Sequence, residues 1–224
     1  QTVDPNDPGA TPAAGRASRA AAYAYEPGST AKVITMAAIL ETGVATPTTP
    51  FVVPDRYVVP NGQSFKDSDD HPDLKLTLNG ILAKSSNTGT VMVGQNLPEQ
   101  VRHDYLAKFG FGSPTGVGLP GEASGSLLAA EDWDGRSEYT VLFGQAVSVT
   151  TLQATQVFAT IANDGLRVQP HIVKATIAPD RTVTPTELAE PEQVISPQTA
   201  ETLVTMLESA VSDGTGGEAS VPGY

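Results

Sequence analysis

Residues 29–40 constrain the fold more than any other stretch of the chain. They read STAKVITMAAIL, follow Pro27-Gly28 and end shortly before Gly43. A helix that is apolar on nearly every face belongs inside a molecule, and the glycine marks its end. The only charged residue in its interior is Lys32. The sequence therefore predicts a buried helix that carries a single ammonium group into apolar surroundings.

Ser29 lies three residues before Lys32, so a helix places both side chains on the same face. Loss of water lowers the pKa of a lysine, and a lysine that gives up its proton readily can act as a general base toward a nearby hydroxyl. Pro27-Gly28 would present Ser29 at the helix N-terminus, where free backbone N–H groups favour an oxyanion. The spacing alone is weak evidence, because a serine cap followed by a surface lysine also satisfies it.

A second polar group occurs at Ser85-Ser86-Asn87. We predict a short helix from Thr77 to Lys84 and another over 90–96, with this triplet at the corner between them. A hydroxyl at Ser85 could relay a proton, and the amide of Asn87 could hold a substrate carbonyl. The alternative is that both residues only cap the following helix, a common use of serine and asparagine. The catalytic interpretation requires the Lys32 ammonium to lie near the Ser29 and Ser85 hydroxyls.

Composition narrows the classes of function. The 224 residues contain 13 Lys and Arg and 25 Asp and Glu, a formal charge of −12. Phosphate backbones and anionic membranes attract clustered basic residues, so nucleic acid is excluded as a partner. The absence of Cys excludes a thiol nucleophile, a disulfide framework and Cys-ligated metal sites. No apolar run approaches the roughly 20 residues that span a bilayer.

The rest of the chain predicts a single α+β domain over 1–224. Residues 1–22 are expected to form a lead-in arm, and 23–224 a mostly helical part with small strands. Apolar periodicity and end signals predict further elements, namely short edge strands within 44–76, helices over 98–109, 150–163 and from Ser196 to before Gly214, a strand over 172–177 and a hairpin or loop over 179–191. The helix at 150–163 should pack in the same core as the helix at 29–40.

An acidic segment around His71 could suggest a metal loop. Its carboxylates are Asp67, Asp69, Asp70 and Asp73, and Lys66 and Lys75 flank it. The spacing fits no complete calcium-binding loop. We therefore predict a solvated loop here, and neither a metal nor a cofactor for the chain.

Four segments together resemble the class B penicillin-binding proteins. They occur in the order of that family over nearly the whole chain, and they are EPGSTAK at 26–32, KSSNTG at 84–89, FGFG through GLPGE at 109–122, and IANDG at 161–165. The closing GTG at 214–216 and VPGY at 221–224 are similar to the cell-division (FtsI-like) type of actinobacteria.

The resemblance implies the penicillin-binding-protein transpeptidase fold, which is shared with serine β-lactamases. It implies a D,D-transpeptidase that cross-links peptidoglycan and is a target of β-lactams. Ser29 would be the acylated nucleophile, Lys32 its base and Ser85 the proton relay. Asn87 would bind the substrate amide, and Gln145 would help to wall the cleft. No cofactor is implied.

Partners and location also follow from the resemblance. The substrate would be the D-Ala-D-Ala end of a stem peptide, and the protein partners a membrane glycan polymerase and division proteins. The protein would lie on the extracytoplasmic face of the cell membrane, held by an N-terminal anchor outside these 224 residues.

The chain departs from the family pattern at both ends. The family's Lys-Thr-Gly motif does not occur in it, and the strands that usually precede the arm are not in the sequence. The resemblance therefore implies a helix-dominated, partial transpeptidase domain, expected to be inactive by itself because the missing strand supplies an oxyanion donor. Two alternatives stay open. One is a non-catalytic β-lactam sensor or inactive scaffold, and the other a serine β-lactamase, for which no glutamate stands in a convincing loop.

Overall fold

A computed structural model describes residues 3–4 and 6–222. Within them the chain forms eight α-helices joined by loops and short 3-10 turns. Their bounds are α1 Arg19–Ala22, α2 Lys32–Glu41, α3 Leu78–Ala83, α4 Asn87–Gly94, α5 Glu99–Lys108, α6 Ser137–Thr140, α7 Thr151–Ala162 and α8 Pro197–Ser212.

Ten short strands complete the described part. They are β1 Ala24–Tyr25, β2 Pro50–Val53, β3 Arg56–Val58, β4 Ser64–Lys66, β5 Leu74–Thr77, β6 Val149–Thr150, β7 Leu166–Arg167, β8 Ala175–Ile177, β9 Val183–Pro185 and β10 Glu192–Gln193. All pair antiparallel and only two by two: β1 with β6, β2 with β5, β3 with β4, β7 with β10, and β8 with β9. The described residues are thus a helical body edged by small ribbons, as the sequence predicts.

Helix α2 lies at the centre of the main hydrophobic core. Its residues 33–39 are all buried, and the same cluster contains Val157 and Ile161 of α7 and Leu203 and Met206 of α8. The predicted packing of the helix at 150–163 in the core of α2 is confirmed. No charged side chain other than Lys32 is buried on α2.

Local end signals explain where most helices begin. Thr150 caps α7 in a capping box with Gln153, and Ser196 caps α8 with Pro197 in its first turn. Thr77 accepts the amide of Gly80 and so caps α3. These helices match their predicted ranges to within one or two residues.

In the described part of the arm at 1–22, Arg19–Ala22 form α1, which buries Ala21. Two predictions need correction. Helix α4 begins at Asn87 rather than at residue 90, since Ser86 caps it. The strand predicted over 172–177 is reduced to β8, and its N-terminal Ile172 and Val173 are exposed.

The end of α8 is tied to the end of α3. The Thr215 amide donates to the Ala83 carbonyl at 3.0 Å, and the Lys84 ammonium donates to the Asp213 carbonyl at 2.8 Å. Gly214 packs so tightly that a Cβ there would lie 2.1 Å from the Ala83 carbonyl oxygen. The 213–215 segment therefore covers the Ala83 carbonyl, which α3 leaves without a partner of its own at its C-terminus. Among the described residues, no helix is both long enough and apolar enough to cross a membrane.

Candidate active site

The Ser29 side chain stands on a 3-10 turn, Gly28–Ala31, that leads directly into α2. Gly28 has φ +57°, a conformation that favours glycine, and its amide donates to the Gly144 carbonyl at 2.9 Å. Ser29 itself is exposed, whereas Ala31 and Lys32 are buried. The nucleophile candidate thus lies at the surface end of a helix whose next turn is in the core.

Lys32 is completely buried, with 0% of its surface exposed. Its ammonium donates to the Ser85 carbonyl oxygen and, at 3.2 Å, to the Ser85 hydroxyl. Burial lowers the pKa of Lys32 from 10.5 to about 8, and the negative charge of Asp67 opposes that change. The lysine is therefore much easier to deprotonate than a surface lysine, as a general base must be.

Ser85 lies at the corner between α3 and α4. Its φ of +55° lies in the left-handed region, which a residue with a Cβ seldom adopts. Ser86, not Ser85 or Asn87, caps α4 with its side chain, by accepting the Gly89 amide at 2.9 Å. The helix-cap alternative does not account for Ser85, because its hydroxyl contacts Lys32 instead.

The Ser29 hydroxyl makes no hydrogen bond to any residue that the structure describes. The predicted contact between Lys32 and Ser85 is confirmed, but the Lys32 ammonium is turned toward Ser85 rather than hydrogen-bonded to Ser29. The two oxygen atoms of Ser85 account for this orientation, because together they occupy two of the three ammonium donors.

Asp67 is the residue at this site that the sequence analysis missed as a participant. One of its carboxylate oxygens, Oδ1, accepts the backbone amides of Asn87 at 2.5 Å and Thr88 at 2.9 Å. The Asn87 side-chain amide donates to the Lys66 carbonyl at 3.3 Å. The end of β4 thus holds the start of α4 through a carboxylate at the positive end of a helix. No local signal in the sequence indicates this pairing across 20 residues.

Gln145 follows Gly144 on an exposed turn that is joined to the Ser29 region from two sides. Besides the contact between Gly28 and Gly144, the Glu26 carboxylate accepts the Ala146 amide at 2.9 Å. Ala146 has φ +58°, again a conformation unusual for a residue with a side chain. The structure therefore places Gln145 beside the Ser29 turn.

The acidic segment is not uniformly solvated. The side chains of Asp67 and His71 are each only 13% exposed, and they contact one another at 3.2 Å between Oδ2 and Nε2. The predicted solvated loop is wrong for these two residues, because Asp67 faces inward to α4. Over the described ranges no group of three or more His, Asp and Glu side chains converges as metal ligands would.

Comparisons with known proteins agree with this arrangement. The family model for the penicillin binding protein transpeptidase domain matches residues 2–224. The chain is 42% identical over 207 residues to penicillin-binding protein PbpB of Mycolicibacterium smegmatis, covering 89% of this chain and 32% of the relative. It is 33% identical to peptidoglycan D,D-transpeptidase FtsI of Escherichia coli K12, covering 100% of this chain and 36% of the relative.

A solved structure shows the same fold. Penicillin binding protein 3 of Mycobacterium tuberculosis, in complex with aztreonam, superposes with a TM-score of 0.87 at 39% identity, over 92% of this chain and 47% of that one. The chain spans about a third of the length of the curated relatives it matches. The match over almost all of its residues shows that the chain belongs to the penicillin-binding protein transpeptidase family.

Proposed function

We propose that the protein containing this chain is a D,D-transpeptidase that cross-links peptidoglycan stem peptides through an acyl-enzyme on Ser29. The observation that carries the proposal is the complete burial of Lys32, which begins α2 directly after the Ser29 turn. Its ammonium contacts both oxygens of Ser85. Relatives named as peptidoglycan D,D-transpeptidases support the reaction class.

In the proposed reaction the Ser29 oxygen attacks the carbonyl carbon of the penultimate D-Ala. Its proton passes to the unprotonated Lys32 amine, with the Ser85 hydroxyl as relay, and then to the terminal D-Ala as the peptide C–N bond breaks. An amine of a second stem peptide attacks the resulting ester and forms the cross-link. The proton of that amine returns through the same groups, so Ser29 ends as a free hydroxyl.

Asn87 and Gln145 are proposed as substrate-binding residues. Asn87 starts α4 next to the Ser85 corner, where its amide group can pair with a backbone amide of the substrate. Gln145 is on the turn held by Glu26 and Gly28, where it can wall the cleft.

A β-lactam would acylate the same serine. Attack on the lactam carbonyl opens the ring, and the leaving nitrogen stays attached to the acyl group, so water or an amine reaches the ester slowly. Structures of penicillin binding protein 3 of M. tuberculosis in complex with aztreonam and with ampicillin support this assignment.

Location and protein partners belong to the proposal for the whole protein. Relatives named PbpB and FtsI support a role in cell-wall synthesis at division. We place the protein on the extracytoplasmic face of the cell membrane through an N-terminal anchor, acting with a membrane glycan polymerase and division proteins. A fluorescent fusion of the full-length protein should concentrate at the septum, and uniform side-wall fluorescence would contradict the division role.

Covalent labelling of the full-length protein by a fluorescent penicillin tests the nucleophile. Ser29→Ala should abolish labelling, since no ester forms without the hydroxyl. Thr30→Ala is the matched control and should keep it, because the neighbouring Thr30 hydroxyl donates to the Pro27 carbonyl and not to the site. A mass-spectrometric adduct on Ser86, or on any residue other than Ser29, would refute the assignment.

Product analysis separates the proposal from its alternatives. A transpeptidase releases D-Ala from a stem-peptide mimic and transfers the acyl group to an added amine. A serine β-lactamase would instead hydrolyse a chromogenic cephalosporin with many turnovers, and a sensor or scaffold would acylate once and release no D-Ala.

A further inference from the structure

His71 lies directly behind the carboxylate that holds the start of α4. Its Nε2 faces Asp67 Oδ2 at 3.2 Å, and its Nδ1 faces the Pro72 carbonyl oxygen at 2.7 Å. Both neighbours are hydrogen-bond acceptors. A neutral imidazole carries one N–H and can satisfy only one of them, whereas the imidazolium cation donates to both. The geometry therefore fits the charged ring.

The charges around His71 favour the same form. The Asp67 carboxylate contacts the ring, and the Asp55 carboxylate accepts the His71 backbone amide at 3.1 Å. Lys66 and Asp70 pair with each other at 3.5 Å and are largely exposed. The Pro72 carbonyl raises the pKa of His71 above 6.5, burial opposes this change, and Asp67 and Asp55 add to it.

Asp67 connects this histidine with the proposed catalytic residues. Its Oδ1 holds the Asn87 and Thr88 amides while its Oδ2 meets His71, so each carboxylate oxygen has its own partners. A carboxylate held at both oxygens cannot rotate without breaking one set of contacts. The negative charge of Asp67 also acts on Lys32, whose pKa it raises.

On the basis of the function proposed above, we propose that the imidazolium of His71 is a positioning group for acylation, acting through Asp67 on the Ser85–Asn87 corner. Loss of the His71 proton leaves one N–H for two acceptors and removes the cation that offsets the charge of Asp67. Asp67 then holds α4 less firmly and stabilises the Lys32 ammonium more strongly. Both effects slow acylation above the pKa of His71, and so reduce the rise in rate that deprotonation of Lys32 brings.

The pH dependence of acylation tests the inference on the full-length protein. The second-order rate constant for a chromogenic β-lactam is measured from pH 5.5 to 9 for the parent, His71→Gln and His103→Gln. Glutamine retains an N–H donor but carries no charge. We expect His71→Gln to react about fivefold more slowly at pH 6, the equivalent of one weakened hydrogen bond, and within about twofold of the parent at pH 9.

His103→Gln is the matched control because His103 lies on α5, where its ring packs at a tilt against Trp133. Its profile should follow the parent at every pH. A constant ratio between His71→Gln and the parent from pH 5.5 to 9 would show a purely structural histidine and overturn the inference. Asp67→Asn should abolish the difference that His71→Gln makes.

A measurement on the parent protein tests the inference even if the variants fold poorly. Histidine ring NMR signals, assigned with His103→Gln and His171→Gln, should show His71 as the imidazolium at pH 6.5, and a neutral ring there would overturn the inference. This signal does not depend on catalysis. Absence of any acylation of the parent would contradict the proposed function, whereas acylation with a neutral His71 would contradict the positioning role alone.

Discussion

Lys32 shows how one residue can be costly to the fold and necessary to the site. With its pKa near 8, about a tenth of the molecules hold the free amine at pH 7, against well under one in a thousand for a lysine with an unperturbed pKa. Since the desolvation that produces this population comes from the apolar helix α2, the sequence pattern that buries the helix also tunes the base.

The first prediction concerns this base. The acylation rate of the parent protein should rise with pH along a limb with an apparent pKa near 8, because only the free amine accepts the Ser29 proton. Lys32→Met should lower the rate by roughly 1,000-fold or more and remove that limb. Stopped-flow measurement with a chromogenic β-lactam gives both quantities.

Lys174→Met is the control for a lost ammonium, because Lys174 is exposed and lies outside the segments that form the candidate site. It should keep the limb near 8. A limb near 10, or an unchanged rate in Lys32→Met, would show that another group takes the proton.

The second prediction separates the hydroxyl of Ser85 from its backbone. Ser85→Ala and Ser85→Gly both remove the hydroxyl that contacts Lys32, so both should slow acylation by a similar factor. Glycine tolerates the φ of +55° and alanine does not, so the glycine variant should be more stable by about 1 kcal/mol. Thermal unfolding and acylation rates are measured side by side. A much slower Ser85→Ala than Ser85→Gly would show that the backbone, not the hydroxyl, matters.

At the scale of elements, local signals predicted the helices and missed the contacts between them. The caps at Thr150 and Ser196 lie within four residues of the amides they satisfy, so they can be read along the chain. The pair of Glu26 with Ala146 spans 120 residues, and Asp67 reaches Asn87 across 20. Those contacts depend on tertiary packing. Neither carboxylate has a neighbouring residue in the sequence that marks it for such a contact.

Part of the candidate site could likewise be predicted from local sequence, and part could not. Ser29, Lys32, Ser85 and Asn87 came from short motifs and from apolar surroundings. The contact of Lys32 with Ser85 follows from those motifs and is present. The capping role of Asp67 could not be predicted, because an aspartate in an acidic loop indicates solvent as readily as a helix terminus.

The third prediction tests the approach of the Gly144 turn to the Ser29 turn. A Cβ at Gly144 would lie 2.2 Å from the Gly28 carbonyl oxygen and 2.8 Å from its nitrogen. Gly144→Ala should therefore push the turns apart and slow acylation at least tenfold, by displacing the surroundings of Ser29. Penicillin labelling rates on folded protein provide the measurement.

Gly118→Ala is the matched control, since Gly118 has nearly the same backbone conformation, φ +83° against +77°, and open space around it. It bears the same backbone strain without the clash. Equal slowing in the two variants would assign the effect to general destabilisation.

At the scale of the whole molecule, Lys32 couples stability to pH. The folded chain binds this proton more weakly than the unfolded chain, because the folded pKa is about 8 and the unfolded one 10.5. The unfolded state therefore holds more protons between these values, and the contribution of Lys32 to stability rises as pH increases from about 7 to 10.5. The full change is on the order of 3 kcal/mol.

The fourth prediction follows from this increase in the contribution of Lys32 to stability with pH. Lys32→Met should be more stable than the parent at pH 7, since a thioether avoids the cost of burying an ammonium, and its advantage should shrink toward pH 10. Differences in unfolding midpoint between the two proteins, measured at pH 7, 8.5 and 10, isolate the lysine from all other titrating groups. An advantage that is independent of pH would mean that the folded pKa is not lowered.

The end of α8 is hydrogen-bonded to the end of α3. The corner at Ser85 therefore depends on residues about 130 positions away in the chain. The Ser85 and Ser86 amides are bonded to Leu82 and Ile81, within the turn that the 213–215 segment covers. When that segment detaches, the last turn of α3 can fray, and these amides become open to exchange with solvent deuterium. Protection at 85–86 and at 215–216 should then be lost together, as one cooperative unit, before the interior of α2 opens. The local stability of the proposed catalytic corner is thus limited by the stability of the 213–215 segment that covers it.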